Sequence, residues 1–283
     1  MIKFGVAGNS NSFYAEGNTT TTQAAKWCKD RGIDVFEYSF GRGINLGEKS
    51  CQELKNAFDK QGVDLTVHAP YYINFSNPDP EMIAKSIMYV LNSMKKLTLL
   101  GGDRVVVHPA TQGKVERSVA VAQAKQNLTM LANEVERFGG QNFKICLETM
   151  GKLAQIGDAE ETADFCTIAP FFYPCIDFGH LNARTFGSLK TTDDYLHVFD
   201  VFLNKLPFEK VCHTHIHFSK IMYGAKGEIK HLTFADTEFG PEFEPLCEAI
   251  LKLGLEPVVI CESDGTQAED TVFMKKIYLS HIQ

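Results

Sequence analysis

The feature that most constrains this chain is a regular alternation. Short apolar, β-branched runs recur from end to end, and each is followed by a stretch with helical period. The runs read as strands are Ile2–Ala7, Asp34–Tyr38, Val63–Val67, Arg104–Val107, Phe143–Leu147, Tyr173–Ile176, Lys210–Ile216 and Pro257–Cys261. Between two of them Met82, Ile83, Ile87, Val90, Leu91 and Met94 fall at three- and four-residue steps, the spacing of one buried helix face. Val119, Val121, Leu128, Leu131, Val135 and Phe138 repeat the pattern less regularly. Gly32, Gly62, Gly101, Gly139 and Gly254 follow such stretches, where a left-handed residue ends a helix. This order predicts an α/β fold, a single (β/α)8 TIM barrel, which usually takes about 250 residues. A doubly wound open sheet would carry a glycine-rich phosphate loop after its first strand, and "GVAGNSNSF" contains no G-x-G-x-x-G. No composition break or Pro/Ser-rich linker divides residues 1–283, so one domain is expected.

Composition narrows the function classes. Hydrophobic residues make up 44% of the chain and charged residues 22%, which is ordinary for a globular protein. No run approaches the apolar length of a membrane span, and Met1-Ile2-Lys3-Phe4 leads straight into a strand, so neither a membrane partner nor a signal peptide is expected. The eight cysteines form no C-x-x-C pair, and Cys146, Cys175, Cys212 and Cys261 lie inside apolar runs. They read as buried free thiols of a cytoplasmic protein. A net charge of −7 weighs against non-specific nucleic-acid binding. Metal ions would offset carboxylates gathered in a site.

In a parallel barrel all carboxyl ends of the strands meet at one rim. The residues there are His68, His108, Glu148, Asp177 with His180 three residues on, a strand carrying His213, His215 and His217, and finally Glu262. A single histidine or carboxylate at a strand end is commonly a hydrogen-bonded rim residue. Six consecutive strands ending this way are different, because their side chains would converge in one concavity. Clustered carboxylates repel and desolvate badly without a cation, and imidazole with carboxylate is a preferred ligand set for zinc and similar divalent ions. Side-chain alternation puts His213, His215 and His217 on one face, with His213 deepest, and parity does not choose between His215 and His217. His197 and His281 lie in helical stretches and receive no role.

The motifs "HAPYYIN" at 68–74, "VVVHP" at 105–109, "CLET" at 146–149, "CIDFGH" at 175–180, "HIHFSK" at 215–220, "KHLTF" at 230–234 and "VICE" at 259–262 occur in an order that resembles endonuclease IV. That family comprises zinc-dependent AP endonucleases with a (β/α)8 barrel. The resemblance implies a phosphodiester hydrolase of DNA repair that cleaves abasic-site duplex DNA 5′ to the lesion with a metal-bridging hydroxide. It implies His68, His108 and Glu148 as ligands of a first zinc. Glu148, Asp177, His215 and Glu262 would hold a second, with Glu148 bridging and Glu148 and Glu262 as the catalytic carboxylates. His215 is selected because "HIHFSK" aligns with the family's H-L-N-D-[SA]-K segment. His180 and His231 would hold a third ion.

At the third site the chain departs from the family, which places an aspartate two residues before the last histidine. Ile229 stands there, in "GEIKH". Glu228 and His217 are the candidates to replace it, and Glu228 needs a local turn to face the metal, since alternation puts it opposite Ile229. The third ion is therefore expected to bind weakly, and an aspartate at 229 to strengthen it. Tyr71 and Tyr72 match the positions that wedge into the minor groove, and Arg42 in "FGRG" lies near a DNA-contacting arginine of the family. The bland alternative for both tyrosines is packing on the rim.

Two other functions fit part of the pattern. A sugar isomerase or epimerase of the same superfamily would use Glu148, Asp177, His215 and Glu262 around one manganese or other divalent ion, acting on a sugar or small phosphorylated compound. His68, His108, His180 and His231 argue against it, since such an enzyme has little use for further histidine-rich sites. A non-enzymatic metal- or nucleic-acid-binding relative is the other possibility.

Overall fold

A computed structural model describes residues 2–41 and 43–282. Eight strands form a closed barrel in sequence order: β1 (Lys3–Ala7), β2 (Val35–Ser39), β3 (Asp64–His68), β4 (Arg104–Val107), β5 (Lys144–Glu148), β6 (Phe172–Asp177), β7 (His215–Phe218) and β8 (Val258–Cys261). Every neighbouring pair is parallel, and β8 closes on β1 through Lys3↔Val258 to Val6↔Cys261. This is the predicted (β/α)8 barrel.

The alternation along each strand makes two layers. Outward residues such as Phe4, Phe36, Leu65, Val105, Ile145, Phe172, Ile216 and Val259 join the large core under the helices. Inward residues fill the barrel, whose apolar part consists of two small groups, Val35 with Val258 and Ile260, and Val106 with Cys146 and Cys175. Above them the inward positions turn polar: Glu37, Thr66, His68, Glu148, Asp177, His215 and His217 are all buried. All eight cysteines are buried and free.

The helices end and begin where the sequence places the signals. Gly62, Gly101, Gly139 and Gly254 take left-handed C-cap conformations. Asp158 and Thr191 open their helices with capping boxes. One boundary differs from expectation. The run read as a strand from Lys210 is a short helix, Phe208–Cys212, and β7 begins only at His215. The β-branched pattern is interrupted there because Lys210 turns its ammonium under the adjacent loop, donating to the carbonyls of Cys166, Ala169 and Phe172. His213 consequently leaves the strand and lies with Lys3, Asp64, Asp103 and Lys144 around a polar cavity of about 700 Å³ at the amino-terminal end of the barrel.

Two short antiparallel pairs sit beyond the carboxyl rim. Ala110–Thr111 pairs with Gln155–Ile156, and Ile221–Gly224 pairs with Gly227–His231. The second hairpin bears on the site.

Gly102 joins the helix Pro80–Leu100 to β4 at a point of close approach. A Cβ there would lie 2.1 Å from the backbone oxygen of Leu65 and 2.5 Å from Leu97 Cδ1. Gly102→Ala is expected to destabilise the fold by roughly 1–3 kcal/mol, since the backbone of β3 cannot yield cheaply. Thermal denaturation should show a midpoint lower by several degrees, and an unchanged midpoint would contradict this packing.

Candidate metal centre

Glu148, the last residue of β5, is 1% exposed and lies at the middle of the rim. Its Oε2 is 3.1 Å from His68 Nε2 and 2.9 Å from His108 Nε2. Its Oε1 is 3.2 Å from His180 Nδ1 and 3.4 Å from His217 Nδ1. Burial opposes ionisation of Glu148, but His108 and the other imidazoles outweigh it and hold the carboxyl well below its usual range. Burial pushes the neighbouring Glu262 upward, with Asp177 and Glu148 adding to the effect.

Three groups of donors lie at the rim, and a fourth, Cys175, His215 and His217, lies deeper in the barrel. His68, His108 and Glu148 form the first, and Glu148, Asp177, His217 and Glu262 the second. His180, Glu228 and His231 form the third. Local structure aims each one. Asp177 ends β6 and caps the helix Phe178–Arg184, where its Oδ1 accepts from the His180 backbone N–H at 2.7 Å. The cap fixes His180 one turn into the helix and leaves Asp177 Oδ2 buried with no hydrogen-bond partner. Three imidazoles are anchored through Nδ1, with Nε2 left to face the cavity. His68 Nδ1 lies 2.8 Å from the Ala69 carbonyl, His180 Nδ1 3.0 Å from the Thr149 carbonyl, and His231 Nδ1 2.8 Å from Ser219 Oγ. Such anchoring of the remote nitrogen is usual for metal-binding histidines.

The third group answers the question raised by Ile229. In the hairpin, Lys230 pairs with Met222 and Glu228 with Tyr223, so Ile229 is the extra residue of a β-bulge. One inserted residue restores parity between Glu228 and His231 and puts both on the inner face. Ile229 turns outward and is 57% exposed. Glu228 Oε2 reaches to 3.5 Å from His180 Nε2. Gly151 leaves it room, since a Cβ there would come within 2.8 Å of the Glu228 side chain. The bulge is the local turn that Glu228 requires. A weak third site, expected from Ile229 alone, does not follow from this geometry.

On β7 the structure separates the two histidines that parity leaves equivalent. His217 meets the carboxylates, with Nδ1 3.4 Å from Glu148 and 3.4 Å from Glu262. His215, selected by the motif alignment, lies one pleat deeper, in register with Cys175 and Val258, and does not belong to the Glu148–Asp177–Glu262 group. Aligning "HIHFSK" by its Ser-Lys pair shifts the histidine by two positions. Burial pushes His215 down to about 4, so it stays neutral. The sequence reading also overlooked Glu37, which is fully buried beneath His217 and His215. The available signal was a carboxylate at an inward position of the apolar strand "VFEYS".

Tyr71 and Tyr72 are 53% and 56% exposed. Tyr71 packs over the site, its ring centroid 5.2 Å from that of His68 and 5.4 Å from that of His108, with its hydroxyl 3.2 Å from Ser39 Oγ. Arg42 lies outside the described residues. Two adjoining spaces of about 340 and 200 Å³ open onto the donors and share His68, Tyr71, His231 and Glu262 as walls. Lys152, Gln155 and Gln267, unmarked by any motif, also line them.

The donors suit divalent ions. Asp177 Oδ2 and both nitrogens of His217 are buried without hydrogen-bond partners. Three carboxylates within one ligand shell repel each other unless cationic charge lies among them, and an imidazole beside them completes a four-ligand set. A parallel barrel with grouped histidines and carboxylates at its carboxyl rim defines a TIM-barrel protein whose donor groups could hold metal. Residues 25–277 match the model of the xylose isomerase-like TIM barrel family, and the chain belongs to that family. An uncharacterized protein of Methanocaldococcus jannaschii is 28% identical over 277 residues, which cover 97% of this chain and 96% of that one. A probable endonuclease 4 of Bacillus velezensis is 25% identical over 229 residues, 77% of this chain and 74% of the relative. Among solved structures, a D-tagatose 3-epimerase-like protein superposes with a TM-score of 0.73 at 19% identity, covering 99% of this chain and 98% of that one. Endonuclease IV of Thermus thermophilus superposes with a TM-score of 0.66 at 18% identity, covering 99% and 97%. At such identities the structural likenesses establish the fold.

The bulge makes the third group testable. Glu228→Ala should lower metal stoichiometry, measured by elemental analysis after dialysis, whereas Ile229→Asp should leave it unchanged. A rise on introducing the aspartate would show that Glu228 does not fill the position. Glu148→Ala should weaken binding at the first two groups together, because both draw on the same carboxylate.

Proposed function

We propose that the protein is a divalent-metal-dependent phosphodiester hydrolase of the endonuclease IV type, acting on abasic-site duplex DNA. The observation that carries this reading is the presence of three donor groups in one pocket, two of them sharing Glu148 and two of them rich in histidine. Bound divalent ions, zinc being the natural choice for this ligand set, would supply a nucleophile at neutral pH and neutralise a phosphate gaining charge in an in-line displacement. His68, His108 and Glu148 would hold one ion and Glu148, Asp177, His217 and Glu262 a second. His180, Glu228 and His231 would hold a third, which would supply positive charge for a leaving oxygen.

The chain's own residues would do the rest. The anchored Nδ1 atoms of His68, His180 and His231 keep their Nε2 lone pairs aimed inward, so the ligands need not reorganise on binding. Tyr72 is exposed and would enter the minor groove beside an abasic nucleotide. Tyr71 lies over His68 and His108 and would wall off the attacked phosphate from bulk water.

A single-metal sugar epimerase is the second reading. It draws on the group Glu148, Asp177, His217 and Glu262, which alone completes a four-ligand site. It leaves five further donors, His68, His108, His180, Glu228 and His231, without a task.

The deciding experiment is cleavage of a duplex carrying one abasic site by zinc-loaded protein, beside epimerisation of ketohexoses by protein loaded with manganese. Incision 5′ to the lesion supports the hydrolase. Epimerisation without incision would replace it with the second reading. Changing Tyr71 and Tyr72 together to alanine should weaken duplex binding and cleavage roughly 10-fold or more, since unstacking a base step costs a few kcal/mol that the wedge offsets. Metal content should not change. Equal cleavage by this variant would return the tyrosines to a packing role.

A further inference from the structure

We infer that Glu37 is a positioning residue for His217, fixing which ring nitrogen that histidine presents to the carboxylate cluster. The inference rests on the metal-binding reading above and concerns a residue that no motif marks. Glu37 points into the barrel from β2 and is 1% exposed. Its Oε1 lies 3.0 Å from His217 Nε2, within ion-pair distance, and both atoms are buried without a hydrogen-bond partner. Its Oε2 accepts from Thr66 Oγ1 at 3.0 Å and lies 3.0 Å from His215 Nε2. Two imidazoles and a hydroxyl thus surround one carboxylate on the barrel axis.

His217 is reversed relative to its neighbours. His68 and His231 are tied through Nδ1 and present Nε2, and His180, whose Nδ1 meets the Thr149 carbonyl as well as Asp177 and Glu148, presents Nε2 to Glu228. His217 meets Glu37 through Nε2 and presents Nδ1 to Glu148 and Glu262. A neutral imidazole has one N–H and one lone pair. A carboxylate beneath Nε2 keeps the proton there and leaves the Nδ1 lone pair for a cation. Without it the ring is free to protonate at Nδ1, which places an N–H where a ligand is needed. The setting supports a positional role over a packing one. An ionised carboxylate inside a barrel costs several kcal/mol unless paired, and an apolar side chain there would extend the Val35, Val258 and Ile260 group at no such cost. His215 and Thr66 serve this arrangement by engaging the second oxygen, which keeps Oε1 turned toward His217.

The test uses the full chain and zinc. Zinc affinity is measured by chelator competition for the wild type, Glu37→Gln and Glu37→Leu. The protonated nitrogen of His217 is read by ¹H–¹⁵N correlation in the zinc-loaded protein, assigned by loss of the signal in His217→Ala. The expected results are an Nε2-protonated, Nδ1-bound His217 in the wild type and a roughly 10- to 100-fold loss of affinity in Glu37→Gln. Thermal midpoints of the metal-free proteins separate this from simple unfolding. Glu37→Leu should keep or raise the midpoint while losing zinc affinity, which a purely structural glutamate would not do. If Glu37→Leu does not fold, the isosteric Glu37→Gln carries the test. Wild-type affinity in Glu37→Gln, or coordination of His217 through Nε2, would overturn the inference and leave the metal reading standing. A wild-type chain that takes up no zinc or other divalent ion would overturn both.

Discussion

The rest of the site depends on a single buried carboxylate, Glu148. It ends β5 near the centre of the rim, with four imidazoles within 3.4 Å of its two oxygens. An ionised group so placed is costly unless every lone pair is met. The histidines meet them here, and the remote nitrogens of two of them are engaged in turn, His68 Nδ1 by the Ala69 carbonyl and His217 Nε2 by Glu37. Electrostatic demand therefore propagates outward from Glu148, through the ligands, to groups on nearly every strand of the barrel.

The barrel makes this possible through its layering. Outward positions pack against helices and supply the cohesion. Inward positions near the amino end are small and apolar, which leaves the upper half of the interior free for polar groups. Glu37, Thr66 and His215 extend the polar half below the rim donors. Two short antiparallel pairs then add walls beyond the rim. One of them, through the bulge at Ile229, brings Glu228 and His231 over His180.

A shared barrel can serve both phosphodiester hydrolysis and sugar epimerisation, and the likenesses to solved structures include both kinds. The choice between the two readings for this chain turns on the donors beyond the group Glu148, Asp177, His217 and Glu262. His68 at the end of β3, His108 just after β4, and the group His180, Glu228 and His231 give this chain further donors that could hold metal. That distinction comes from site chemistry, since fold alone does not carry function.

Much of the architecture was legible in the amino-acid order. Parallel strands buried on both faces read as apolar runs, and helices show their period and their glycine stops, so the barrel and its rim residues follow from local pattern. His68, His108, Glu148, Asp177 and Glu262 are legible because each closes or directly follows a strand, where a polar residue interrupts an apolar run. Three features were decided only by tertiary structure. The choice between His215 and His217 depends on depth along the barrel axis, and a two-residue period is blind to depth. The role of Glu228 depends on a bulge, which shifts parity by one residue through the pairing of Ile221–Gly224 with Gly227–His231 and leaves little trace in either strand alone. Glu37 gains its meaning from His217 and His215, which are remote in sequence and adjacent only when β8 closes on β1 to complete the barrel.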